Sequence, residues 1–345
     1  MEIGIGLDLT ARLTFDEQRD AIGEAVRRGY QSAWTPAGFA PDAFMTCTQW
    51  TQAADAVDPA RGFKAGISVV PAPLWSVPSL AGVAATVGQL TGSRFSLGIG
   101  TGSITSAPYR AMFGLANHPP IAMMRDYLVT LRGLLAGETV EHTGPTVSLH
   151  GARLNWPWER PQVPVLLAAL GPQMLRLAGE ASDGAALNWC SPEQITWSRE
   201  RVAEGAKRAG RDPADVKIAE YIRVCVDDDE DAARRGLARA VMGYAMAAPG
   251  ANKALGYRAH FARMGFDDAL NDLEAKRDNG ASEDAIIEAF PRELLLAVGY
   301  FGKAEGAAAA FRRLSVGLDT ALVRIVPARP GLASVMNVIR ACQPG

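Results

Sequence analysis

The residues best placed to do chemistry are glycines and a helix start, not acid–base pairs. In Arg94-Phe-Ser-Leu-Gly-Ile-Gly-Thr-Gly-Ser103 an apolar run passes straight into spaced glycines. Lacking Cβ atoms, Gly98, Gly100 and Gly102 let a backbone approach a flat ligand or a phosphate, and they suit a tight strand-to-helix turn equally well. A dinucleotide fingerprint needs a further glycine at position 103, which is Ser103, so that motif fails. In Val163-Pro-Val-Leu-Leu-Ala-Ala-Leu-Gly-Pro-Gln-Met174 a strand ends at Ala169, Gly171 makes the turn and Pro172 opens a helix. The N–H groups and positive dipole end of such a start suit a phosphate. Gly66-Ile-Ser-Val-Val-Pro71 leads into a proline-rich loop holding Trp75, which reads as a functional loop or a rigid surface one. Trp34 and Trp189 end apolar runs, where an indole floors a pocket or fills a core.

The titratable residues add little. His118, His142, His150 and His260 have no metal-ligand spacing, so no metal is expected. Asp227-Asp-Asp-Glu-Asp231 reads as the solvated first turn of a helix, where carboxylates are favoured. Cys47, Cys190, Cys225 and Cys342 are scattered, which implies free thiols in a reducing compartment.

Eight short apolar runs must position these segments: Glu2–Asp8, Gln31–Thr35, Phe63–Val70, Arg94–Gly100, Val163–Ala169, Gly184–Asn188, Val216–Val226 and Thr320–Val326. Most lack strict alternation, as expected of strands buried on both faces. Helices are predicted at 14–28, 42–57, 77–90, 121–136, 172–181, 192–209, 230–247 and 332–341. Thr14 with Glu17 forms a capping box, and glycines such as Gly137 follow the helices where a left-handed residue is wanted. Eight strand–helix units in 345 residues favour a closed (β/α)₈ barrel in a single domain over an open doubly wound sheet. Two stretches break the repeat. Residues 138–160 read as a hairpin-like excursion, and 249–301 as a helical insertion at the rim of the C-terminal face.

Composition narrows the class. Hydrophobic residues make up 48% and charged residues 21%, enough for a large core. A net charge of −2 without a basic stripe argues against a general polyanion binder, so no nucleic-acid partner is expected. No run of 18 apolar residues and no signal peptide is found, so no membrane is implied and a cytoplasmic protein is expected.

Taken in order, Gly66–Pro71, Arg94–Gly102, Ala168-Ala-Leu-Gly-Pro-Gln-Met174 and Ala178-Gly-Glu-Ala-Ser-Asp-Gly184 resemble the third to sixth strand signatures of the luciferase-like flavin and deazaflavin oxidoreductase family. Met112-Phe-Gly114 and Arg125-Asp-Tyr-Leu128 also resemble it. The resemblance implies a barrel with its cofactor at the C-terminal strand ends. It implies a cis peptide between Ser68 and Val69, bulging behind the cofactor ring. Gly100, Thr101 and Gly102 would line that ring or its side chain. Ala168, Ala169, Leu170, Gly171, Pro172, Gln173 and Met174 would hold the phosphate. Read from the residues themselves, Trp34, Trp75, Ser103 and Trp189 are the candidates for a substrate pocket, with plain packing as the other reading. The wording is closer to the coenzyme F420 branch than to FMN monooxygenases. The implied activity is hydride transfer between F420 and a small organic substrate, by a homodimer. FMN-dependent monooxygenation and a cofactor binder without turnover are the alternatives. The chain departs from the branch at Thr35-Pro-Ala-Gly38, where Asp-His often follows the tryptophan, and at Ser103, where sugar-phosphate dehydrogenases carry Glu. The acid and base of those enzymes are therefore missing, and no catalytic residue is assigned.

Overall fold

Helix starts and stops lie where local chemistry demands them. Thr14 Oγ1 accepts the N–H of Glu17, while the N–H of Thr14 donates to Glu17 Oε2 at 2.8 Å, closing the capping box. Gly137, at φ +84°, ends its helix in the left-handed region. The acidic run at 227–231 supplies a cap, since Asp229 Oδ1 accepts the N–H groups of Asp231 and Ala232.

The computed structural model describes residues 1–38 and 40–345. Its first half holds β1 (Glu2–Gly6), α1 (Phe15–Arg27), β2 (Ser32–Thr35), α2 (Ala43–Asp55), β3 (Lys64–Pro71), α3 (Val77–Leu90), β4 (Phe95–Gly100), α4 (Ala107–Phe113) and α5 (Pro120–Ala136). Then come β5 (Val140–Thr143), β6 (Ser148–Ala152), β7 (Val165–Ala168), α6 (Pro172–Ala181), β8 (Gly184–Asn188), α7 (Pro192–Arg208), β9 (Lys217–Val226) and α8 (Glu230–Ala245). The remainder is α9 (Gly256–Phe261), α10 (Asp267–Asp278), α11 (Glu283–Ala289), α12 (Arg292–Val298), β10 (Gly299–Gly302), α13 (Ala304–Leu314), β11 (Thr320–Ile325) and α14 (Leu332–Ala341).

Hydrogen bonding runs β9-β11-β1-β2-β3-β4-β7-β8, and β8 pairs with β9 again, so eight parallel strands close a ring. The chain is a (β/α)₈ barrel, and all eight predicted strands are present within two residues of their expected ends. Two compact units divide it: Met1–Tyr30, Leu187–Ser198 and Glu220–Gly345 form one, Gln31–Ala186 and Arg199–Ala219 the other.

In the first unit, the stretch read as an insertion carries α9 to α12. Phe261, Leu270, Leu273, Ile286, Ile287 and Phe290 pack there with Leu237 and Val241 of α8. Buried Arg258 reaches Glu274 at 2.9 Å and Asp267 at 2.8 Å, tying α9 to α10. The same stretch holds an unforeseen strand, β10, which pairs in parallel with Arg223–Val226 of β9. Gly299 permits that approach, since a Cβ there would lie 2.8 Å from the Arg223 carbonyl oxygen. In the second unit the 138–160 excursion is the antiparallel hairpin β5–β6. It is fastened to α5 through Asp126, whose Oδ2 accepts from Thr146 N at 2.8 Å, Thr146 Oγ1 at 2.7 Å and Val147 N at 3.2 Å, while Oδ1 meets His142 Nε2 at 3.0 Å. Burial pushes this carboxyl's pKa up, but those bonds together hold it below the ordinary value.

Candidate functional site

Three adjacent strands of the second unit bring the predicted ring-side residues together. The β3–β4 register passes from Ile67 opposite Leu97 to Val70 opposite Ile99, leaving Ser68 and Val69 as a bulge against Gly98. The Ser68–Val69 peptide is cis, as the family resemblance implies. Gly98 and Gly100 make room for that bulge. A Cβ at Gly98 would lie 2.5 Å from Ile67 O and 2.9 Å from Val69 Cγ1. One at Gly100 would lie 2.9 Å from Val69 Cγ2 and 3.0 Å from Ala168 Cβ. Val69, Gly100 and Ala168 thus form a continuous wall of small groups across β3, β4 and β7. Past it, Gly102 turns at φ +56° beneath the Tyr109 hydroxyl, Thr101 is half-buried and Ser103 is exposed.

Beyond Ala168, Ala169 is buried and Leu170 half-buried, and Gly171 caps α6 with no side-chain hydrogen bond. Pro172 and Gln173 are exposed and Met174 is half-buried. Gly171 makes the turn into α6 as expected. Its φ is −88° and a Cβ there would meet none of the described residues within 4 Å, so the turn itself does not require glycine. Arg176, one turn on, is engaged by Glu204 at 2.8 Å.

The proposed pocket tryptophans lie in different surroundings. Trp34 is 4% exposed, packs flat on Gly66 and donates to Ser32 Oγ at 3.1 Å. Trp75 is half-buried, edge-on to Phe44 at 5.4 Å, and its carbonyl accepts from the Tyr127 hydroxyl at 2.8 Å. A cleft of about 690 Å³ in this unit opens where Val163 leads into β7, at the opposite end of that strand from Ala168. Its Arg132 and Asp183 pair with each other at 2.7 Å.

In the first unit, sequence reasoning missed a buried polar cluster. Trp189 is fully buried in the left-handed region, φ +59°. Flanking groups hold it: Cys190 N donates to Glu220 Oε1 at 2.6 Å, and the His260 ring lies 2.8 Å from the Trp189 carbonyl oxygen. Burial pushes Glu220 up to about 8 and His260 down to about 4, so near neutral pH both are mostly uncharged. The Arg223 guanidinium lies 3.8 Å from the Trp189 ring centroid and donates to Asn188 Oδ1, whose amide nitrogen in turn donates to the Tyr257 hydroxyl at 2.6 Å. Arg324, from β11, lies over Tyr221 and pairs with Asp8 at the end of β1. Burial lowers Arg324 only to about 9, so it stays a cation at neutral pH. The available signal was charged residues inside two strands, Glu220 and Arg223 in β9 and Arg324 in β11.

Comparison with known proteins agrees with this architecture. The 5,10-methylenetetrahydromethanopterin reductase of Methanolobus tindarius is 36% identical over 149 residues, 43% of this chain and 44% of the relative. The chain thus matches less than half the length of that relative. A Mycobacterium tuberculosis protein provisionally named a coenzyme F420-dependent oxidoreductase is 25% identical over 312 residues, 86% of each chain. The structure of coenzyme F420-dependent tetrahydromethanopterin reductase from Methanopyrus kandleri superposes with a TM-score of 0.75 at 19% identity, over 99% of this chain and 98% of that one. A model of the luciferase-like monooxygenase family matches residues 2–317, and the chain belongs to that family of oxidoreductases.

Proposed function

We propose that the protein passes a hydride between coenzyme F420 and a small organic substrate. The observation that carries this reading is the wall of Val69, Gly100 and Ala168, which offers small groups from three neighbouring strands to a flat ring. The open space around Gly171, at a helix start without a side-chain cap, fits the first phosphate of such a cofactor. Gln173 and Met174 would add backbone N–H groups there. When bound, the deazaflavin supplies the hydride chemistry. The chain's own part is to hold the ring against the bulge, fix the phosphate end and keep water from the ring face. The relatives with F420 in their descriptions favour this cofactor over FMN. A homodimer belongs to the same reading, and light scattering at twice the chain mass tests it.

Fluorescence titration of the purified protein with F420 and with FMN tests the cofactor. Micromolar or tighter binding of F420 is expected, about −8 kcal/mol or better, with much weaker binding of FMN. Protein made in a host that contains only FMN should be colourless. A yellow preparation with stoichiometric FMN overturns the choice and favours the monooxygenase.

A further inference from the structure

Two guanidinium groups in the first unit flank a single aromatic ring. Arg223 lies 5.8 Å and Arg324 4.9 Å from the Tyr221 ring centroid. Gly6 lets this cluster close, since a Cβ there would lie 2.8 Å from Tyr221 Cε1 and 3.0 Å from Arg324 Cδ. The charges do not balance. Asp8 pairs with Arg324 through Nη2, yet Arg324 Nη1 is buried with no hydrogen-bond partner among the described residues. Arg223 Nη1 donates only to two neutral oxygens, Asn188 Oδ1 and the Tyr221 carbonyl, and among the described residues no carboxylate pairs with it. Glu220, the other acid nearby, feels the charge of Arg223 but makes no ion pair with it among the described residues; its Oε1 accepts from Cys190 N, and burial keeps it mostly protonated near neutral pH. A buried cation without a counter-ion is costly, and an arriving oxyanion relieves that cost while accepting charge-assisted hydrogen bonds. Asn188, fixed by Tyr257, and Trp189, fixed by Glu220 and His260, hold the Arg223 guanidinium in place. The cluster reaches solvent at Asp8, whose side chain is 20% exposed, and at Tyr244, which is 40% exposed and whose ring lies 5.6 Å from that of Trp189.

We propose that Arg223 and Arg324 bind an oxyanion of the substrate, so that the protein acts on compounds bearing a carboxylate or a phosphate. The inference rests on the oxidoreductase reading only in naming the ligand a substrate. Calorimetric titration of the full chain with benzoate, phenylphosphonate and neutral benzamide tests it, without added cofactor. One anion should bind at least about tenfold more tightly than benzamide. Which anion wins decides between carboxylate and phosphate. In Arg223→Met and in Arg324→Met the advantage should vanish, with F420 affinity unchanged. The wild-type comparison stands even where a variant fails to fold. Equal binding of all three compounds to the wild type, or a preference that survives both substitutions, overturns the inference. F420 binding without anion preference overturns it alone, whereas anion preference without F420 binding overturns the cofactor reading alone.

Discussion

Val69, Gly100 and Ala168 meet because backbone approaches backbone, and no ionisable group takes part. Asp8, Tyr221, Arg223 and Arg324 meet through their side chains, apart from one bond from Arg223 to the Tyr221 carbonyl, and come from segments as far apart in sequence as positions 8 and 324. The first arrangement tolerates no added atom, because its neighbours are main chain and short side chains. The second tolerates changes of shape but depends on protonation and pairing. Steric substitutions should therefore damage the wall most, and changes of charge or pH the cluster.

The largest expected effect is at Gly98. Gly98→Ala drives a methyl group into the Ile67 carbonyl, and urea unfolding should show a loss of about 3 kcal/mol. A loss below about 1 kcal/mol would mean the bulge yields, and the wall is not rigid.

Next comes the cluster's pH response. Folded Glu220 keeps its proton up to about pH 8, against 4.5 as its ordinary value, so its contribution is complete below 4.5 and is lost as pH rises through 8. His260 works in the opposite sense. Its proton, ordinarily bound below 6.5, is refused by the folded protein down to about 4, so stability is lost as pH falls through that window. The two slopes oppose each other between 4.5 and 6.5, and above 6.5 Glu220 acts without that opposition. Wild-type stability should fall between pH 6.5 and 8 by up to about 1.4 kcal/mol per unit. Glu220→Gln should flatten that slope, read from urea midpoints at both pH values. An unchanged slope would remove Glu220 from the account.

The smallest effect on stability is expected at Gly171. Gly171→Ala should leave stability within about 0.5 kcal/mol, since its Cβ meets none of the described residues within 4 Å. Its effect should fall on F420 affinity, with Gln173→Ala neutral in both assays. Wild-type affinity in Gly171→Val would place the phosphate elsewhere.

The contrast also explains what was legible. Backbone-built features leave punctuation: Gly98, Gly100, Pro71 and Pro172 marked the strand ends and helix start, and all eight ring strands followed from apolar runs between such marks. The reason for the glycines was less legible. They read as room for a ligand or as a tight turn, and the structure uses two of them as room for the neighbouring bulge. β10 escaped notice because four residues bounded by glycines carry almost no periodicity. The arginine cluster was hidden for another reason. Its members are spread from position 8 to position 324, and only the closing of the ring brings β1, β9 and β11 side by side.

Docking of the β5–β6 hairpin through one carboxylate decides how freely that segment can be rewritten. Its strands offer exposed positions, Thr143 and Ser148 among them, that are open to exchange. The turn is not open in that way. A Cβ at Gly144 would collide with the Asp126 carboxylate, and Thr146 and Val147 present the donors it accepts. A graft that keeps His142, Gly144, Thr146 and Val147 keeps every anchoring bond to Asp126. One that loses them would keep its ladder and swing loose from α5.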